Sequence, residues 1–120
     1  MKNKTILILA LLFSPFFCFS QEMKTGFTYL ETGKYEKADV FFKQILEEYP
    51  DNKTAKLCYG RAVGLSGNPQ QATQIFTELL EKYPNDFEVK LNYGESLLWN
   101  KNFEAAEIYY QKLIIENDKS

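Results

Sequence analysis

Thirty-four residues separate one set of matching positions from the next along most of this chain. Gly26, Gly60 and Gly94 keep that spacing, as do Ala38, Ala72 and Ala106. Phe42, Phe76 and Tyr110 form a third column, and Leu46, Leu80 and Ile114 a fourth. Pro50 and Pro84 fall in the same register, each preceded by a tyrosine. Several independent columns in one register are the signature of a stacked repeat, in which each unit buries its apolar face only against its neighbours.

Each period contains two helical patterns. The first helices are expected over Glu22–Thr32, Lys53–Ser66 and Asp86–Asn100, and the second ones over Tyr35–Tyr49, Pro69–Tyr83 and Phe103–Asn117. Ala72, Phe76, Leu79 and Leu80 recur at three- and four-residue steps, which makes a stripe on one helix face. Gly33 and Gly67 suit the left-handed residue that ends a helix. Asn68-Pro69-Gln70-Gln71 places an N-cap, a first-turn proline and a glutamine able to reach back. Pro50-Asp51-Asn52 and Pro84-Asn85-Asp86 end one repeat and cap the next. Gly26, Gly60 and Gly94 cost about 1 kcal/mol each relative to alanine inside a helix, so a close neighbour is expected at each. The alanine column is expected to supply the small surface there, with Phe42, Phe76 and Tyr110 filling the space between helices.

This unit, with its Gly33-Lys34-Tyr35-Glu36-Lys37-Ala38 stretch, an aromatic four residues on and a closing proline, resembles the tetratricopeptide repeat. Lys101-Asn102-Phe103-Glu104-Ala105-Ala106 is a weaker form, and Gly67-Asn68-Pro69-Gln70-Gln71-Ala72 has proline in place of the aromatic. Glu22, Lys56 and Lys90 stand where the family carries tryptophan, and Thr25, Tyr59 and Tyr93 where it carries leucine. The resemblance implies an all-α solenoid, a right-handed superhelix of three units at about residues 21–52, 53–86 and 87–120. It also implies a protein-binding groove lined by the first helices. In repeat register that groove takes Met23, Phe27, Leu30, Leu57, Arg61, Leu65, Leu91, Glu95, Leu98 and Trp99, with Gly64 leaving a gap in the middle. Such a lining suits a peptide or helix with apolar anchors. Trp99 is its foremost candidate anchor, since tryptophan is enriched among binding hot spots. Packing between neighbouring helices is the competing role for Leu57, Leu91 and Leu98. Some family members clamp a carboxylate tail with lysines and asparagines. Met23, Phe27, Cys58, Glu88 and Asn92 hold those places here, which argues against that partner class.

Ahead of the repeats, Lys2 and Lys4 precede an apolar run from Ile6 to Phe13, then Ser14-Pro15 and Phe16 to Ser20. This is the order of a secretory signal, with cleavage expected after Ser20. The run is about half of the ~20 residues that span a bilayer, so no membrane insertion is expected after cleavage; a retained anchor is the alternative. Phe16-Phe17 before Cys18 is a poor match to a lipoprotein signal. Residues 21–120 would carry twelve basic and sixteen acidic side chains and one cysteine, Cys58. A lone thiol in an exported chain is either a small buried residue or an intermolecular partner.

The chain has no histidine, which removes the commonest general base and metal ligand. Net charge is −2, against a nucleic-acid binder. Glu47-Glu48 and Asp86/Glu88 sit at helix ends, where acids serve as caps or solvated charge. No phosphate loop, metal spacing or cofactor motif is present. The expected function is therefore an exported, periplasmic or secreted, protein-binding adaptor and not an enzyme. The alternative is a leading module of a larger outer-membrane or secreted protein. That form would self-associate through an uncapped last helix, where Ile108 and Ile115 share a face.

Overall fold

The computed structural model describes residues 15–118, with side-chain surroundings from Ser20 onward. Six helices follow one another: α1 (Pro15–Glu31), α2 (Tyr35–Glu48), α3 (Lys53–Leu65), α4 (Pro69–Lys82), α5 (Phe87–Trp99) and α6 (Phe103–Asp118). Each packs chiefly on its neighbours in sequence, and the first helix of a repeat also touches the first helix of the next, α1 on α3 and α3 on α5. The architecture is all-α, three helix–turn–helix units in series.

Five helices start and stop within a residue of the expected bounds. The exception is α1, expected from Glu22 and observed from Pro15. Pro15 is the first described residue of α1. No other breaker follows before Gly26. The expected signal lies outside the described residues as far as residue 14, and α1 crosses the Ser20–Gln21 junction without a break.

The caps follow local chemistry. Asn52 Oδ1 accepts from the Ala55 N–H at 2.9 Å, and Asp86 Oδ1 from the Val89 N–H at 3.2 Å. Asn68 departs from expectation. It caps no backbone group, and its amide instead donates to Gln71 Oε1 at 2.9 Å. Its backbone, at φ −124° and ψ 67°, is not the extended conformation that Asn52 and Asp86 adopt, so the carbonyl oxygen is not presented to the first turn.

The turn inside each repeat is the same motif three times. Lys34 N–H donates to Tyr29 O, Asn68 N–H to Val63 O and Asn102 N–H to Leu97 O, at 2.8, 3.0 and 2.9 Å. These bonds need a residue of positive φ just before them. Gly33 and Gly67 supply it at φ 77° and 116°, but the third repeat uses Lys101 at φ 61°. A side chain there is strained. Lys101→Gly should therefore raise stability by about 0.5–1 kcal/mol, after the entropy glycine adds to the unfolded chain. The urea midpoint checks it, and an unchanged midpoint would mean the lysine conformation carries no net strain.

The core alternates rings with small residues. Ala38, Phe42, Ala72 and Phe76 are completely buried. The interior glycines face aromatic rings, not the alanine column. A methyl group at Gly26 would collide with the Phe42 ring, and one at Gly60 would come 2.5 Å from Phe76 and at Gly94 2.8 Å from Tyr110. Each ring reaches close to backbone where no Cβ intervenes. Ala72 instead approaches Gly64. Among the described residues no helix is long and apolar enough to cross a membrane.

Candidate functional site

One register position of the first helices takes Phe27, Arg61 and Glu95 in the three repeats. Arg61 and Glu95 are 34 residues apart and form an ion pair on adjacent first helices. Arg61 Nη1 also donates to Asn92 Oδ1 at 2.9 Å, and its guanidinium lies 5.9 Å from the centre of the Trp99 ring. Asn92 is buried, and its amide donates to the Glu88 carbonyl at 2.8 Å. The two expected groove charges thus pair directly, and Arg61 is also held by an asparagine that sequence reasoning placed only in a rejected clamp. Near the entrance of the same interface, Lys53 Nζ lies 2.5 Å from Asp86 Oδ2. The hydrogen bond from Lys53 is the main cause that holds the Asp86 carboxyl below its usual range.

Trp99 is half-buried and packs on the second repeat. It fills the space over Gly64, where an added methyl group would come 2.5 Å from its ring, and it packs 6.3 Å from Phe76. Gly64 therefore leaves no gap, and Trp99 joins the second repeat to the third instead of standing free in a groove. Leu57 is likewise covered, at 3% exposure, by the core it shares with Phe76 and Val89. Met23 is buried too. Phe27, Leu30 and Leu65 remain half-buried, with Phe27 against Phe42 and Leu65 beside the Gly33 turn. Cys58 is buried among Met23, Ala38 and Ala62, and burial pushes its thiol up to about 11, as befits a packing residue.

Leu91 and Leu98 are exposed for one shared reason. Their register counterparts in the second repeat are Leu57, buried by the next repeat, and Gly64, covered by Trp99. No described helix follows α6 to cover them. Phe103 and Ile114 on α6 are bare in the same way, at 63% and 61% exposure. Their counterparts Tyr35, Leu46, Pro69 and Leu80 are all half-buried. The third repeat thus presents an apolar end face that the first two repeats bury.

Ile108 and Ile115, expected as a second interface, are exposed as well, at 61% and 57%, and lie on another face of α6. At about 100° per residue they are roughly a third of a turn from Phe103 and Ile114. Val40, Gln74, Glu47 and Glu81 hold their register positions and are exposed in every repeat, so this is outer surface and not the repeat junction. Carrying the junction positions forward by 34 residues would have found Phe103. The sequence alone does not say which positions those are.

Two family models match the chain, both described as tetratricopeptide repeat, one over residues 22–52 and the other over residues 65–120. Neither a curated protein nor a solved structure matches it. Such repeats generally mediate protein–protein contacts and are typically non-catalytic. With a 34-residue period, six helices in series and both of these matches, the chain is a tetratricopeptide repeat protein.

Proposed function

We propose that the chain is an exported adaptor that holds a partner peptide or helix along its first helices. The observation that carries this reading is the closed polar set of Arg61, Asn92 and Glu95. It leaves no free charge in the row to hold a carboxylate tail or phosphate. Recognition then falls to the apolar surface of Phe27, Leu30 and Leu65. The basic start and apolar run of residues 2–13 support export.

The chain expressed with its own leader and recovered from the cell envelope tests both parts. Its mass should lack residues 1–20. Arg61→Ala should leave the helical signal intact but cut partner capture about tenfold or more, because Glu95 would then stand as an unpaired charge beside the apolar surface that holds the partner. The exchange Arg61→Glu/Glu95→Arg should restore capture. Equal capture by all three forms would sink the groove reading, and a full-length mass would sink cleavage.

A further inference from the structure

Cleavage after Ser20 would give α1, which runs from Pro15 to Glu31, a new start inside its own helix. The Ser20–Gln21 bond has small residues at both places a leader peptidase reads, Ser20 just before it and Cys18 two residues earlier. Cutting after Cys18, Phe19 or Gln21 would put Phe16, Phe17 or Phe19 at one of those places. The shortened helix then begins at Gln21, and its first turn has a task in the core. Met23 is 4% exposed and packs with Ala38, Phe42 and Cys58. That turn must therefore stay helical, although its unpaired N–H groups carry partial positive charge. A free α-amine on Gln21 is protonated at neutral pH and would add a full positive charge there. Lys24 stands in the same turn, with Glu22 as the one acid.

The side chain of Gln21 can remove that charge. Gln21 is exposed, as are Ser20 and Glu22 on either side. At a chain start, the α-amine nitrogen of a glutamine reaches the Cδ of its own side-chain amide and closes a five-membered ring. The Nα–Cδ bond forms, the Cδ–Nε2 bond breaks, and one amine proton leaves with Nε2 as ammonia. No oxidant, metal or other co-reactant enters the balance. The product is a neutral lactam, which the positive end of a helix favours over an ammonium, as it favours an acetylated start.

We propose that Gln21 is a modification site, closed to a pyroglutamyl group in the exported chain; this rests on the export and cleavage reading above. The lactam starts α1 without charge. It also leaves no free amine for an aminopeptidase, which would otherwise reach the core residue Met23 after two cuts.

The full chain, expressed with its own leader in the cells it comes from, is recovered from the envelope under acid for intact mass and amino-terminal sequencing. The mass should be that of residues 21–120 less one ammonia. Stepwise degradation should be blocked until pyroglutamyl peptidase removes one residue, and should then read Glu22, Met23 and Lys24. Gln21→Asn, whose shorter amide would have to close a four-membered ring, should keep both its ammonia and a free amine. Aminopeptidase should shorten that variant and leave the unsubstituted chain whole. An isotope-labelled Gln21–Lys24 peptide added at lysis should stay open; closure to the same extent as the protein would assign the ring to the work-up and overturn the proposal. A mass of residues 21–120 with the ammonia retained would overturn the lactam and leave cleavage standing. A start at any other residue after the leader would overturn it and leave export standing, whereas a full-length mass would sink cleavage and the lactam together.

Discussion

Phe76→Ala should cost about 3–5 kcal/mol, enough to unfold much of a domain whose whole stability is about 5–15 kcal/mol. Phe76 has no exposed surface. Its ring rests on the backbone at Gly60 and meets Trp99, so it belongs to the interior of the second repeat and to its junction with the third. In a stacked repeat each unit is held only by its neighbours, and the middle unit contributes to both junctions. The cavity would therefore loosen the second repeat and its junction with the third. Urea unfolding followed by circular dichroism measures the loss. Phe103→Ala is the control: the same truncation at a 63%-exposed ring should change stability by less than about 0.5 kcal/mol. A Phe76 loss as small as the Phe103 loss would show that the ring does not hold the repeats together.

The second large effect concerns a compensated pair. At the junction of the first two repeats the register places hold Leu30 and Leu65; at the next junction they hold Gly64 and Trp99. The bulk has moved from one helix to the other. Gly64→Leu should cost about 1–3 kcal/mol, because even its first carbon would fall 2.5 Å from the Trp99 ring and 3.0 Å from Ala72 Cβ. Trp99 is the chain's one tryptophan, so its emission should shift to the red as it is expelled into water. Trp99→Leu alone should also destabilise, by leaving a cavity over Gly64. The double substitution rebuilds the leucine pair of the first junction and should recover about 1 kcal/mol or more relative to the sum of the singles. Strict additivity would show that the two residues do not share the space.

Some of the candidate site could be read from the sequence. Arg61 and Glu95 stand out as polar residues in an apolar row, and the repeat register puts them side by side. Their mutual pairing follows from adjacency, but the third member, Asn92, does not. A buried asparagine differs from an exposed one only in what surrounds it. Leu57, Leu91 and Leu98 look alike in sequence, yet Leu57 is buried and the other two are bare. The difference lies in whether a following helix covers them, which no side chain encodes in itself.

The amino-acid order by itself determined the repeat length, five of the six helices, the Asn52 and Asp86 caps and the glycine turns at Gly33 and Gly67. These depend on interactions within a few residues: apolar spacing near the helical period, a side-chain oxygen within reach of the first turn, and a residue able to take positive φ. Tertiary structure decided that aromatic rings, not alanines, meet the interior glycines. It also decided that Trp99 closes a junction and that Phe103 and Ile114 are bare on α6 as well as Ile108 and Ile115. A helix carries apolar residues on more than one side, and only the placement of its neighbours determines which side loses its water.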